Sequence, residues 1–142
     1  MRILLLTLLT WATLPAFAQE ATPVRVPAQA LTQLEDFMEV TKGAVEAKAR
    51  PGKNIPVEAR PEVNRQLIIS ADEFRRVTKE NPTREAYLAC IDKGLGRVAP
   101  LTSTVGERQE VADFFQELVE IVGLRSSDGK LNAFVSQGSA KK

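Results

Sequence analysis

The stretch 104–124, TVGERQEVADFFQELVEIVGL, carries the strongest fold signal in the chain. Thr104 and Glu107 have the spacing of a capping box, in which each side chain bonds to the backbone N–H of the other residue. Apolar residues then recur at helical spacing and form a broad face, made by Val111, Phe114, Phe115, Leu118, Val119, Ile121 and Val122. Gly123 stands where a left-handed residue ends a helix, and Leu124 can fold back on the last turn. We therefore predict a long, mostly buried helix that ends near Val122.

Further helices are predicted on both sides of this stretch. Apolar residues three and four apart indicate a helix over 28–49 and a short one over 62–69, where a strand is the alternative. Ser70 and Glu73 have capping-box spacing, which predicts that a separate short helix starts there and ends near Lys79. Asn81-Pro82 predicts the start of the next helix, with Asn81 as its cap, and Pro100 predicts its end. Leu131, Phe134 and Val135 indicate one last short helix after a turn at 126–129.

These elements predict an all-α fold. No segment alternates for long with a period of two, so we expect a single compact, bundle-like domain of four to five helices. The domain is predicted to span 28–135, between a flexible segment over 19–27 and a disordered tail over 136–142.

The first residues have the pattern of a secretory signal peptide. A basic start at Arg2 precedes the apolar run 3–17, Pro15 breaks that run, and small residues at Ala16 and Ala18 suit a signal peptidase that cuts after Ala18. The run is shorter than the roughly 20 residues that span a bilayer, so an uncleaved anchor is the less favoured alternative. We expect a periplasmic or secreted protein that meets the membrane only through its signal peptide during export.

The composition removes most catalytic chemistry. The chain has no histidine and one cysteine, Cys90, which excludes histidine bases, histidine-paired nucleophiles, thiolate clusters and an internal disulfide. Gly94 and Gly96 lack the remainder of a phosphate-binding motif. Loss of Arg2 with the leader would leave 18 basic residues against 18 acidic ones, a balance unlike that of a general nucleic-acid binder. We expect no catalytic residue, cofactor, metal or nucleic-acid partner, and a buried Cys90.

One polar feature of the long helix is a candidate partner-binding site. Four acids, which we call the acidic stripe, recur three and four residues apart: Glu110, Asp113, Glu117 and Glu120. At about 100° per residue they occupy an arc of about 80°. Like charges at this spacing repel by a few tenths of a kcal/mol per pair. The repulsion could be offset within the protein by arginines of neighbouring helices (Arg75, Arg76, Arg84 and Arg97) or by a basic partner.

The block 114–134, FFQELVEIVGLRSSDGKLNAF, resembles a family of small exported bacterial helical domains of unknown function. The sequence around Asn81-Pro82-Thr83 and around 90–95 is similar to that family too, so the resemblance covers about 31–134. It implies a bacterial source and a helical domain, and it brings no catalytic residues.

Three functions remain open. The first is a non-enzymatic periplasmic binding or inhibitory protein, for example an immunity protein against an envelope-acting toxin, with another protein as the partner. The second is a carboxylate-dependent enzyme acting on a cell-envelope polymer, which requires two acids facing each other across a pocket. The third is a structural or oligomeric envelope module, which would leave an apolar patch on the first helix. The sequence does not fix the oligomeric state.

Overall fold

The computed structural model describes residues 21–46 and 54–140. Within them the chain forms five α-helices: α1 (Ala30–Glu46), α2 (Arg60–Glu80), α3 (Arg84–Val98), α4 (Val105–Ile121) and α5 (Lys130–Ser136). A 3-10 turn over Ala99–Leu101 follows α3. The described residues contain no β-strand, only two isolated bridges. The predicted all-α, bundle-like domain is therefore confirmed.

The helices enclose one core. α1 packs along α2, α2 along α3, and α4 against α5, while α4 also contacts α1 and α2. Fully buried side chains from four helices and the 54–59 loop fill the centre, including Leu34, Ile55, Leu67, Phe74, Tyr87, Ile91, Phe115 and Leu118. The Phe74 and Tyr87 rings lie 5.4 Å apart, and the Tyr87 hydroxyl shares a 2.7 Å hydrogen bond with Thr78. The one buried hydroxyl of this aromatic pair is thus satisfied.

The predicted limits of α4 are confirmed. The Thr104 hydroxyl caps the helix by accepting a 3.2 Å hydrogen bond from the Glu107 amide. The Glu107 carboxylate in turn accepts a hydrogen bond from the Thr104 amide. Gly123 adopts φ 71°, and the Leu124 amide donates to the Val119 carbonyl. This left-handed stop lets Leu124 turn back into the core, where it is 7% exposed.

The prediction that a new helix starts at Ser70 is wrong, because α2 continues without a break from Arg60 to Glu80. Its buried face continues through Ser70, with Val63 and Leu67 before it and Ala71 and Phe74 after it. Burial of this face favours one helix over two. The Ser70 hydroxyl instead donates back to the Gln66 carbonyl at 2.8 Å, as serine does in a helix interior.

The predicted start of α3 at Asn81-Pro82 also needs correction. Asn81 ends α2 and precedes a proline, which disfavours helical backbone at that position. The cap of α3 is Thr83, whose hydroxyl accepts from the Ala86 amide at 3.3 Å. Pro82 lies between the two helices and uses its carbonyl to hold another segment.

That segment is residues 22–27, which we call the N-terminal strap. The Val24 amide donates to the Pro82 carbonyl at 2.8 Å, and the Thr22 carbonyl accepts from the Arg84 amide at 2.8 Å. Val24 and Val26 pack against the core. The prediction of a flexible segment over 19–27 therefore does not hold for the strap, because backbone pairing and apolar contacts fix it.

The chain end needs a similar correction. Ser139 pairs with the start of α4, since its amide donates to the Ser103 carbonyl and its carbonyl accepts from the Val105 amide. A Cβ on Gly138 would lie 2.7 Å from the Val105 nitrogen, so glycine permits this close approach. The prediction of a disordered tail over 136–142 fails at 136–139, whereas 141–142 lie outside the described residues.

Candidate functional site

The acidic stripe lies on α4 as predicted, but its members have unlike surroundings. Asp113, Glu117 and Glu120 are exposed, while Glu110 is half-buried. Asp113 accepts a hydrogen bond from Gln109, and Glu120 accepts one from Gln116. These are contacts with neutral side chains one turn earlier, so they leave the negative charge of the stripe in place.

Glu110 holds the loop that leads into α2. Its Oε1 accepts from the backbone amide of Asn54 at 2.9 Å and from Asn54 Nδ2 at 3.0 Å. The loop then turns Ile55 into the core at 1% exposure. Glu110 therefore positions a neighbouring segment through this carboxylate oxygen.

The alternative in which neighbouring arginines offset the stripe gains no support from the ion pairs of the described residues. Each arginine pairs with another acid: Arg75 and Arg76 with Asp72, Arg84 with Asp128, and Arg97 with Glu73. Arg75 and Arg76 reach Asp72 within one turn of α2, while Arg97 crosses from α3 to α2. Across residues 21–46 and 54–140, no ion pair includes a stripe acid.

A groove between α1 and α4 runs beside the stripe and has a volume of about 440 Å³. We call it the α1–α4 groove. The Phe37 and Phe114 rings meet edge to face across it, with 5.9 Å between their centres. The lining has apolar side chains and two acids, one from each helix: Phe37, Val40, Phe114 and Ile121, with Asp36 and Glu117. Its walls therefore combine apolar surface with negative charge.

Val40 is the most exposed large apolar side chain of the described residues, at 76%. It stands on α1 beside the buried positions Phe37 and Thr41. The sequence patterns did not place Val40 at this site, because an apolar patch on the first helix was considered only as a surface for self-association. The available signal was an isolated valine outside the apolar stripe of α1, next to Asp36 and Glu39.

The enzyme hypothesis requires two acids that face each other across a pocket, and the groove brings carboxylates from two helices to one open surface. Asp36 and Glu117 both line it and are both exposed, and Asp113 and Glu120 lie outside its lining. Within the described part of the chain, no group of three or more Asp, Glu or Cys side chains is placed to hold a metal ion.

Cys90 lies in the core at 7% exposure, as predicted. Burial raises the pKa of its thiol, and the nearby Glu73 charge raises it further. A raised pKa keeps the sulfur protonated and reduces its nucleophilicity. The thiol therefore acts as a small apolar side chain.

No helix of the described residues is both long and apolar enough to span a bilayer. The predicted leader 1–18 and its cleavage position Ala18 lie outside the described residues. Near the start of the described residues, the Thr22 amide donates to Glu85 at 2.9 Å.

The sequence matches a family model described as a domain of unknown function, DUF4844, over residues 25–138. The match contains all five helices and the block 114–134. Neither the curated proteins nor the solved structures contain a match to this chain.

Proposed function

The chain belongs to the DUF4844 family, whose function is unknown, and we propose that it is an exported, non-enzymatic module that binds a basic protein segment in the α1–α4 groove. The observation that carries this proposal is that exposed Val40 and half-buried Phe114 and Ile121 lie beside acids with no ion-pair partner among the described residues.

The apolar lining of the groove favours binding of an occupant that covers it. Val40 is mostly exposed and Phe114 is half-buried, so an occupant would remove apolar surface from water. Grooves between helices commonly take the apolar face of an amphipathic helix. A domain of this size can supply the roughly 800 Å² that a stable contact buries on each partner.

The acids indicate the charge of the occupant. Asp36 and Glu117 lie on opposite walls, and Asp113 and Glu120 extend the negative surface along α4. Lysine or arginine beside the apolar face of the occupant would meet these acids, speed association and favour one orientation. We therefore propose an amphipathic helix with basic flanks as the bound segment.

Self-association is the competing use of the same surface, and exposed Val40 on α1 is the observation that favours it. In a two-fold dimer, however, the same patch of each copy meets itself. Asp36 and Glu117 of the two copies would then be brought together, and like charges across a contact weaken it. A partner of opposite charge fits the groove better.

The enzyme alternative has less support. A carboxyl group that donates a proton is usually held in a desolvated pocket. Asp36 and Glu117 instead stand at an open groove, and both are exposed to solvent. An inhibitory role, such as immunity against an envelope-acting toxin, is a more specific form of the binding proposal.

Export is part of the proposal, and the position of the N-terminal strap is compatible with it. The N-terminal strap begins at Thr22, after the predicted cleavage at Ala18. Removal of 1–18 would leave the hydrogen bonds of the strap to Pro82, Arg84 and Glu85 intact, because all of these lie within the described residues. Mass spectrometry of the protein from expressing cells tests this, with a mature start at Gln19 as the expected result and an intact leader as the contrary one.

The binding test begins with a partner captured from envelope extract and then purified. We expect the double variant Asp113→Lys, Glu117→Lys to weaken its binding at least tenfold, and Val40→Ser to weaken it severalfold. Glu58→Lys is the matched control, since Glu58 is an exposed acid away from the groove. Equal affinity of the double variant and wild type would overturn the proposal, whereas a concentration-dependent dimer in sedimentation experiments would favour self-association.

A further inference from the structure

A second cavity, of about 360 Å³, lies where the N-terminal strap crosses the end of α4 and the start of α3. Three arginines from three segments line it: Arg25 of the strap, Arg84 of α3 and Arg125 after α4. From this arrangement we propose that the cavity, which we call the arginine pocket, binds a small organic anion with a carboxylate or phosphate head and a short apolar body.

The backbone fixes the position of the three segments. Gly123 ends α4 at φ 71°, and a Cβ there would lie 3.0 Å from the Arg25 carbonyl oxygen. The Arg84 amide donates to the Thr22 carbonyl at 2.8 Å. Arg25 and Arg125 therefore extend from backbone that is held close together, which reduces the entropy cost of bringing them to one ligand.

The acids beside the pocket act on Arg84, since Asp128 pairs with it and Glu85, which accepts from the Thr22 amide, also interacts with its charge. Arg84 forms an ion pair with Asp128, whereas neither Arg25 nor Arg125 has an ion pair or hydrogen bond through its side chain within the described residues. Asp128 adopts φ 55°, a backbone conformation that is uncommon for a residue other than glycine. Guanidinium groups bind carboxylate and phosphate through charge-assisted hydrogen bonds, as in the Arg84–Asp128 contact, and a bound anion would use the same chemistry with Arg25 and Arg125.

The remaining walls determine the shape of the ligand. Pro23, Val24 and Leu124 supply apolar surface between the arginines. Inorganic phosphate would use only the charges, whereas an anion with a short alkyl body would also cover this surface. The pocket therefore favours an amphiphilic anion over a bare one.

Calorimetric titration of the protein expressed from the full-length sequence tests the proposal, with inorganic phosphate, butyl phosphate and butyrate as probes. We expect butyl phosphate or butyrate to bind at least fivefold more tightly than inorganic phosphate. Tighter binding of butyl phosphate would indicate a phosphate ester as the natural head group, and tighter binding of butyrate would indicate a carboxylate. Equal affinity for inorganic phosphate and both alkylated anions would overturn the assignment.

Charge variants locate the binding. Arg25→Gln and Arg125→Gln should each weaken binding of the tighter probe at least threefold, and the pair should weaken it more than tenfold. Arg76→Gln is the control, because Arg76 is 69% exposed on α2 and does not line the pocket. Loss of affinity in the control equal to that in the double variant would show attraction by overall charge only, and it would overturn the proposal. All three arginines are exposed or half-buried, so the variants should fold as wild type does.

Discussion

Phe115 and Phe114 are neighbours on α4, yet they belong to two unlike regions of the molecule. Phe115 is fully buried against Gly94 of α3 and Ser70 of α2, in what we call the closed contact. Phe114 is half-buried and lines the α1–α4 groove. In the closed contact the nearby charges are paired, since Arg97 bonds to Ser70 and Glu73. Along the groove the acids have no ion pair within the described residues. One region is built for stability, and the other remains available for binding.

The largest expected difference between the regions comes from truncating each phenylalanine. Phe115→Ala leaves a cavity in a fully packed site and should lower the free energy of unfolding by about 3–5 kcal/mol. Phe114→Ala removes a half-buried ring and should cost about 1–2 kcal/mol, since less apolar area is lost from the core. Urea denaturation measures both values. Equal losses would contradict the division into two regions.

A smaller effect distinguishes two glycines of α3. A Cβ on Gly94 would lie 2.4 Å from the Phe115 ring and 2.7 Å from the Ser70 hydroxyl, whereas a Cβ on Gly96 meets nothing within 4 Å. Gly94→Ala should therefore destabilise the fold by about 1–3 kcal/mol through overpacking. Gly96→Ala should stabilise it by about 0.5–1 kcal/mol, because alanine favours helix. If Gly94→Ala raises the thermal unfolding midpoint as Gly96→Ala does, the closed contact has room for an added methyl group.

The next effect concerns the charges of the two regions. The Arg97 and Glu73 side chains are 28% and 24% exposed and bond at 2.8 and 3.1 Å. Glu73→Gln leaves the guanidinium without its counter-ion, and we expect a loss of about 1–2 kcal/mol, between the values for exposed and buried pairs. Glu120→Gln on the open side of α4 is the control and should cause no loss, with at most a rise of a few tenths of a kcal/mol, because it removes repulsion within the stripe. A similar loss in both variants would refute the contrast in charge pairing.

The same comparison explains which features the sequence could predict. Features encoded within one turn of helix were predictable, as the capping box at Thr104 and the glycine stop at Gly123 illustrate. The Ser70–Glu73 pattern has the same spacing but lies in the interior of α2, because the apolar face of that helix continues on both sides of it. A local signal therefore failed where burial between helices opposed it.

The candidate site was predictable only on its α4 side. Exposed acids on one face of a helix follow from their spacing, so Asp113, Glu117 and Glu120 were found. The groove needs α1 to place Val40 and Asp36 opposite Phe114 and Glu117, and no local pattern encodes that pairing. Arg25, Arg84 and Arg125 are likewise far apart along the chain, and the strap that joins them depends on hydrogen bonds to Pro82 and Arg84.

The smallest expected effect is a pH-dependent one, and it compares a paired acid with an unpaired one. Burial raises the pKa of Asp72, but hydrogen bonds and charge from Arg75, together with Arg76, outweigh it and lower the pKa below the ordinary value of 3.8. A lowered folded-state pKa gives stability that is present above the unfolded value and is lost as the pH falls through the folded value.

Asp72→Asn should therefore cost at most about 1 kcal/mol at neutral pH, because the pair is partly exposed, and nothing in strong acid. Asp113→Asn, which removes repulsion within the stripe, should instead raise stability by a few tenths of a kcal/mol at neutral pH. Urea unfolding at pH 7 and pH 2 measures these differences in the free energy of unfolding. If the loss caused by Asp72→Asn is as large at pH 2 as at pH 7, it comes from packing and not from charge.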